Sequence, residues 1–308
     1  MHFGINTFLF TSPFTNRSTR LFAQFKRWGF DSVEIAVEDP AHFDQAHIKA
    51  ALDEHGLAAG TLCACFPPAR DLRGTARQQR DCKAYLRQLI EIMPTIGSRT
   101  LIGPLYSATG RAEMVSAGER RQQWRMVVKN LREVCTMAED CGVQIAMEPL
   151  NRFETDFLNT VEQGLSMIAD VNSPALKLLL DTFHMNIEEK DVPAAIRRAG
   201  QHVAHIHACG TDRGTPGNDH LDWAGIASAL RDIKYVGDVV IESFTPDVKV
   251  IARAAAIWRQ IEPSREEIAV KGLKFLRRVF SVPEGRGRIA RRFNAGNTRS
   301  GDESERDG

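Results

Sequence analysis

Strand-like and helix-like segments alternate along almost the whole chain, and this alternation limits the fold more than any other feature. The strand-like segments are short, rich in β-branched or large apolar residues, and bounded by turn-forming or charged residues. Between them lie amphipathic segments with apolar residues at three- and four-residue spacing, such as RLFAQFKRWGF and WAGIASALRDIKY. The eight strand-like segments span residues 2–10, 32–37, 58–66, 99–105, 143–150, 176–184, 203–209 and 238–244.

Eight such βα units favour one fold class over its rivals. The strands are almost continuously hydrophobic, which is typical of parallel strands covered on both faces. Eight βα units in about 250 residues is the size of a (β/α)8 TIM barrel. A doubly wound open sheet is the rival, but the first βα turn lacks a glycine-rich phosphate loop. The sequence therefore predicts a single α/β domain of the TIM-barrel class.

The C-terminal part of the chain extends beyond the barrel repeat. A helical pattern continues through VIARAAAIWRQIEPSREEIAVKGLKFLRRVF, with a break near Pro263. The following segment is rich in Gly, Arg, Ser and Asp and has little to bury. We expect residues 1–283 to form the barrel with a C-terminal helical extension, and residues 284–308 to be a disordered tail.

Charge and cysteine usage narrow the class of partner. The formal net charge of +1 gives no reason to expect nucleic acid or an acidic membrane surface as partner. The N-terminal segment lacks the basic leader of a signal peptide, and no apolar stretch approaches the ~20 residues of a membrane helix. The six cysteines have no zinc-finger spacing, so we interpret them as reduced, mostly buried thiols. We therefore expect a cytoplasmic protein that contacts neither nucleic acid nor membrane.

The last four strands each end in a charged or imidazole side chain. Successive members of this set are about one βα unit apart, and TIM-barrel active sites lie at the C-terminal ends of the strands. Asp181 alone could equally be a residue that caps the next turn. All four together predict convergence on one point near the barrel axis. They are Glu148, Asp181, His207 and Glu242.

Three carboxylates and an imidazole in one buried cluster need a counter-charge, and a divalent cation supplies it. Three oxygen ligands and one nitrogen suit Mn²⁺, Co²⁺ or Mg²⁺. Glu148 and Glu242 come from strands three apart in the ring, so they should approach a substrate from different sides. Two carboxylates could then remove a proton on one face and return one on the other, which describes an epimerase at a carbon beside a carbonyl. With both transfers on one face, the same residues would describe an aldose–ketose isomerase.

Several segments also resemble a known family. EPLNRFE, LDTFHMNIEE, HIHACGTDRGTPG and VVIESF are similar to the D-tagatose/D-allulose (psicose) 3-epimerases of the xylose-isomerase-like TIM-barrel superfamily, and the resemblance covers most of residues 1–260. It implies an unphosphorylated ketohexose or ketopentose substrate of the D-tagatose, D-allulose/D-fructose or L-ribulose type. It also implies that the four strand-end residues bind Mn²⁺ or Co²⁺. Glu148 and Glu242 would then be the acid/base pair acting through a cis-enediolate.

The resemblance further implies that Glu154, His184 and Arg213 bind the substrate, and that the protein is a homodimer or homotetramer. The chain departs from the family at Cys209-Gly210, where a Gly-Glu pair is usual. Four other residues could line the sugar pocket, although each is equally compatible with plain core. They are Asn6, Phe8, Cys65 and Tyr106.

Other interpretations stay open. A hydroxypyruvate or aldose isomerase of the same superfamily needs the same metal cluster, whereas a metal-dependent nuclease needs more histidine ligands and a basic groove. A non-catalytic sugar-binding protein would have little use for two carboxylates on a metal. Glu34 could be functional or part of a structural ion pair, and we expect His205 to be a hydrogen-bonded core residue. Glu188 and Glu189 are expected to open the helix after the sixth strand, where acidic side chains favour the N-terminus.

Overall fold

The predicted barrel is confirmed by the computed structural model, which describes residues 1–42 and 44–281. In this part of the chain eight strands form a closed barrel in sequence order, and each pairs in parallel with the next. Pairing of β1 with β8, with His2 opposite Asp238 and Ile5 opposite Ile241, closes the ring. The strands are β1 His2–Asn6, β2 Ser32–Val37, β3 Ala58–Ala64, β4 Thr100–Gly103, β5 Gln144–Met147, β6 Leu176–Asp181, β7 Val203–Ala208 and β8 Asp238–Ile241.

Helices connect the strands, as the amphipathic segments predicted. The predicted break near Pro263 falls between the last two helices, while the predicted tail at 284–308 lies outside the described residues. No helix in the described part is long and apolar enough to cross a bilayer. The helices are α1 Phe22–Trp28, α2 Gln45–His55, α3 Ala76–Ile96, α4 Ala117–Asp140, α5 Val161–Val171, α6 Thr182–Glu188, α7 Val192–Ala199, α8 Trp223–Asp232, α9 Lys249–Ala254 and α10 Arg265–Ser281.

Several strands end earlier than their apolar patterns suggested. Strand β1 stops at Asn6 because the Asn6 side chain accepts a hydrogen bond from the Phe8 backbone N–H, which begins a short 3-10 helix. In the same way, Asp181 accepts from two backbone N–H groups and caps α6 directly after β6. The expectation that Glu188 and Glu189 open this helix is therefore wrong, because α6 begins at Thr182, ends at Glu188 and has Glu189 as its C-cap.

The interior of the barrel holds a small apolar layer below the C-terminal ends of the strands. Its members form a cluster separate from the large core between strands and helices. Side chains alternate along a strand, so each interior residue has a successor two positions on that faces the same way. Ala146 thus precedes Glu148 and Leu179 precedes Asp181. The layer consists of Ala36, Cys63, Ile102, Ala146 and Leu179.

Gly103, at the end of β4, lets neighbouring backbones approach closely beside this layer. Its φ of 129° lies in a region that residues with a side chain rarely adopt. A Cβ at this position would also lie 2.8 Å from the carbonyl oxygen of Ala64. A larger residue here would push β3 and β4 apart at the end of the barrel where the polar side chains meet.

Candidate active site

The four strand-end residues meet in the barrel as predicted. Glu148 directly follows β5, Asp181 ends β6, His207 lies on β7 and Glu242 directly follows β8. They are 5%, 1%, 0% and 7% exposed, respectively. One potential ligand atom from each lies within 4.8 Å of those from the other three. Strand ends that are far apart in sequence therefore build one buried cluster.

The spacing of the ligand atoms fits a single cation. His207 Nδ1 lies 3.2 Å from Glu242 Oε2, 3.6 Å from Asp181 Oδ2 and 3.8 Å from Glu148 Oε1. Atoms bonded to one ion at about 2.0–2.2 Å lie about 3.0–3.6 Å from one another. Glu148 Oε1 and His207 Nδ1 are buried without a hydrogen-bond partner among the described residues, which is unfavourable unless something else binds them. The residues present therefore fit a divalent metal.

The electrostatics of the cluster point the same way. Burial raises the pKa of the Glu148 carboxyl to about 8, and repulsion by Glu242 and Asp181 adds to this effect although His207 opposes it. Burial would lower the pKa of His207, but the charges of Glu242 and Glu34 raise it well above its usual value. Both shifts arise because negative charge is concentrated in a space that water does not reach. Such a cluster attracts cations.

Arg213 is the positive charge closest to this cluster among the predicted site residues. Its Nη1 donates to Asp181 Oδ2 at 2.8 Å and to Glu242 Oε2 at 2.9 Å. The guanidinium carbon lies 4.4 Å and 5.0 Å from the ring centroids of Phe183 and Phe244. Burial acts to raise the pKa of Asp181, but the charge of Arg213 holds that pKa well below its usual range.

His184 lies beside Arg213 with one ring nitrogen already engaged. The backbone N–H of Asn151 donates to Nδ1 at 3.0 Å. The other ring nitrogen, Nε2, lies 3.7 Å from Glu148 Oε1 and 2.8 Å from Nη2 of Arg213. Burial and the charge of Arg213 lower the pKa of His184 to about 3, so the ring is neutral at pH 7.

Glu154 completes the set of predicted substrate-binding residues. It lies half-buried in the loop after β5, and its Oε1 accepts from the Asn151 side chain at 2.8 Å. Burial raises the pKa of Glu154, while Arg213 acts to lower it. Asn151 thus orients both Glu154 and His184, a role that its sequence did not reveal. Its place three residues after Glu148, at the same end of the barrel, is the signal that could have found it.

The four pocket-lining candidates have different surroundings. Asn6 is fully buried and bonds to Glu242, whereas Phe8 is half-buried and packs against the interior apolar layer. Cys65 is half-buried, and its backbone N–H donates to the Tyr85 hydroxyl. Tyr106 belongs to the core: its ring is fully buried and its hydroxyl donates to the Glu148 carbonyl oxygen at 2.9 Å. All six cysteines are free thiols, as the sequence analysis expected.

Comparisons with known proteins agree with this geometry. Residues 22–279 match the family model described as xylose isomerase-like TIM barrel. A probable ketose 3-epimerase from Synechocystis is 39% identical over 286 residues, which cover 91% of this chain and 97% of that protein. The chain belongs to the ketose 3-epimerases of the xylose isomerase-like TIM barrel family. Its class is therefore that of the isomerases.

Solved structures of the same group superpose closely on the chain. A structure of L-ribulose 3-epimerase has a TM-score of 0.85 at 29% identity, covering 97% of this chain and 99% of that one. The D-allulose 3-epimerase from Methylomonas in complex with D-allulose has a TM-score of 0.84 at 28% identity, covering 90% and 96%. The similarity thus extends over the whole barrel and includes the ends of the strands.

Proposed function

We propose that the protein is a metal-dependent ketose 3-epimerase that inverts C3 of an unphosphorylated ketohexose or ketopentose of the D-tagatose, D-allulose/D-fructose or L-ribulose type. The observation that carries the proposal is the approach of Glu148 and Glu242 to one buried cluster from β5 and β8. The relatives' names, which include L-ribulose 3-epimerase and D-psicose 3-epimerase, support this substrate class.

In this proposal Glu148, Asp181, His207 and Glu242 hold Mn²⁺ or Co²⁺, with Mg²⁺ as a third candidate. The set of three carboxylates and one imidazole nitrogen is typical of sites for these hard or borderline ions. When bound, such an ion would polarise the carbonyl group of the sugar and offset the negative charge that develops beside it.

Glu148 and Glu242 form the acid/base pair. One carboxylate removes the proton from C3 on one face of the substrate, and the other carboxylic acid returns a proton to C3 on the opposite face. This division of work needs two groups on different sides, which strands three apart in an eight-stranded ring supply. Acid/base groups placed in this way contribute about 10²–10⁴-fold to a rate.

Glu154, His184 and Arg213 orient the sugar beside the acid/base pair. Glu154 accepts hydrogen bonds from hydroxyl groups, and Arg213 donates to the oxygen atoms at the carbonyl end. Asn151 holds His184 and Glu154 in place, which reduces the entropy lost when the substrate binds. A phosphate ester would bring further negative charge next to Glu148, Glu154 and Asp181, so an unphosphorylated sugar suits the site better.

Proton exchange tests the proposal. Protein loaded with Mn²⁺ is incubated with D-fructose, D-tagatose, D-allulose or L-ribulose in deuterium oxide, and C3 is observed by NMR. We expect deuterium at C3 together with the C3-inverted sugar. Deuterium at C1 or C2 with formation of an aldose would instead establish the aldose–ketose isomerase, and no exchange with bound metal would refute this substrate class.

The assembly and the location stay predictions. We predict a homodimer or homotetramer, which size-exclusion chromatography with light scattering would measure. The cytoplasmic location is supported by the six free cysteines, because disulfides are rare in reducing compartments.

A further inference from the structure

Glu34 is a buried carboxylate next to the cluster that the proposed reaction leaves without a role. It lies on β2 with no exposed surface, and four side chains contact its two oxygen atoms. The four contacting residues are Asn6, Thr61, His205 and His207.

The contacts of Glu34 with the two histidines are short and direct, which is typical of ion pairs and not of a second metal site. Glu34 Oε1 lies 2.9 Å from His207 Nε2, and Oε2 lies 2.8 Å from His205 Nε2. Atoms at this separation are in direct contact and leave no space for an ion between them. The ligand atoms around His207 Nδ1 are 3.2–3.8 Å away, which does leave such space. Glu34 is therefore a partner of a ligand and not a ligand itself.

The contact with Glu34 determines which nitrogen of His207 faces the metal ligands. Because Nε2 donates its proton to Glu34, Nδ1 is the ring nitrogen left to bind a metal. Nδ1 is the atom that lies near Glu242, Asp181 and Glu148. A carboxylate behind a histidine ligand also fixes the plane of the ring and makes the free nitrogen more basic.

Asn6 extends the same support to a second ligand. Its Oδ1 accepts from the Phe8 backbone N–H at 2.7 Å, which fixes the orientation of the amide. Its Nδ2 then donates to Glu34 Oε1 at 2.6 Å and to Glu242 Oε1 at 3.2 Å. With Oε1 held in this way, Glu242 turns Oε2 toward His207 Nδ1. Glu34 and Asn6 thus connect two of the four ligands.

We infer that Glu34, acting through His207 directly and through Asn6 on Glu242, is a positioning residue that presets the metal centre. The inference rests on the proposed metal-dependent function. In this inference, residues of β1 and β2 fix the orientation of the proposed metal ligands on β7 and after β8.

The test compares the affinity for Mn²⁺ of the wild type with that of Glu34→Ala, Glu34→Gln and Asn6→Ala, measured by chelator competition. Loss of a partner of this kind typically weakens metal binding about 10–100-fold. We expect Glu34→Ala to lie at the upper end and Glu34→Gln to recover part of the loss, since the amide oxygen can still accept from His207. Asn6→Ala, which keeps the Glu34–His207 contact, should weaken binding several-fold.

Glu38→Gln is the matched control. Glu38 lies four residues further along, is half-buried and accepts hydrogen bonds from Ser12 and Phe14. Within the described residues, its side chain makes no hydrogen bond or ion pair with a proposed metal ligand. We expect its Mn²⁺ affinity to stay within twofold of the wild type. If Glu34→Ala does not fold, Glu34→Gln and Asn6→Ala decide the question.

Two further readouts separate positioning from a purely structural role. The absorption spectrum of Co²⁺-loaded protein should change in Glu34→Gln and not in Glu38→Gln, because it reports ligand geometry. At saturating Mn²⁺, kcat should fall at least tenfold while KM stays within threefold, since Glu34 does not contact Glu154, His184 or Arg213 in the described structure. Lower thermal stability with unchanged metal affinity and spectrum would refute the inference. A wild type that binds no divalent metal would refute the proposed function instead.

Discussion

Two buried glutamates inside the same barrel differ in their partners and therefore in their chemistry. Glu34, on β2, is 0% exposed and its oxygen atoms contact four polar side chains, whereas Glu148, after β5, is 5% exposed and its Oε1 has no hydrogen-bond partner among the described residues. Burial acts to raise the pKa of both groups. His207 and His205 reverse this effect for Glu34, while for Glu148 the pKa stays raised.

The comparison shows that burial alone does not distinguish a supporting carboxylate from a reactive one. A carboxylate whose hydrogen bonds are all made is typical of structural support, and one left unsatisfied in a cleft is typical of a functional site. In this barrel the two kinds divide by position. The first half contributes Asn6 and Glu34 as support, and the second half contributes the potential metal ligands.

The largest effect is expected for Glu242→Gln, which removes a proposed metal ligand and a proposed acid/base group together. We expect kcat for ketose epimerisation to fall by about 10³-fold or more, with weaker binding of Mn²⁺. Glu162→Gln, on the exposed face of α5, is the control and should retain normal kcat. Near-normal turnover in Glu242→Gln would remove the proposed mechanism.

Arg213→Met tests whether Arg213 stabilises the buried carboxylates of the proposed metal-ligand cluster. Without Arg213, Asp181 and Glu242 lose a buried positive partner, so the free energy of unfolding of metal-free protein should fall by about 3 kcal/mol. Mn²⁺ should restore much of this loss. Urea denaturation with and without Mn²⁺ measures both values.

Arg197→Met is the matched control, because both side chains of its ion pair with Asp232 are exposed. It should cost about 0–1 kcal/mol with or without Mn²⁺. Equal losses for the two arginine variants would mean that Arg213 does not stabilise the cluster.

Two tyrosine variants compare the first and second halves of the barrel in their effect on stability and on metal binding. The Tyr106 hydroxyl donates to the Glu148 carbonyl oxygen and the Tyr85 hydroxyl to that of Val37, at the ends of β5 and β2. Removing either hydroxyl leaves a buried carbonyl with a lost partner, so each Phe variant should lose about 1–2 kcal/mol of unfolding free energy. Only Tyr106→Phe should also weaken Mn²⁺ binding, by a few-fold in a chelator titration. An equal effect of Tyr85→Phe on metal affinity would break the division between the halves.

The smallest effect concerns Asp156, a carboxylate that, like that of Glu34, is paired with positively charged side chains. Burial acts to raise its pKa, but Arg73 and Arg120 lower it below the usual value. Its stabilising contribution is therefore present above the unfolded-state pKa and is lost as the pH falls through the folded-state pKa. Asp156→Asn should lower the unfolding free energy by about 1 kcal/mol at pH 6, and this difference should shrink toward pH 3.

Asp53→Asn, which disrupts an exposed pair with Lys49 on α2, serves as the control for Asp156→Asn and should change little at either pH. Neither variant should alter kcat at pH 7. A loss of turnover in Asp156→Asn would show that a fully paired carboxylate also has a role at the site.

The sequence alone determined the barrel and the candidate metal ligands. Alternation of apolar segments is a local property, and a residue at the end of a parallel strand in a closed barrel must lie near the other strand ends. Asp181 shows the limit of such reasoning, because its capping of α6 and its place in the cluster looked like alternatives. One oxygen of Asp181 accepts from the backbone of α6, while the other faces His207 and Arg213. Asp181 therefore caps the helix and also belongs to the cluster.

Only the tertiary structure decided the partners of these residues. The contact of Glu34 with His207 joins positions 173 residues apart, and the contact of Asn6 with Glu242 joins positions 236 apart. Which hydrogen bonds form depends on the packing and orientation of side chains from distant strands, and no local pattern records it. Strand periodicity could therefore place Glu34 inside the barrel, but only its neighbours in space separate a supporting carboxylate from a reactive one.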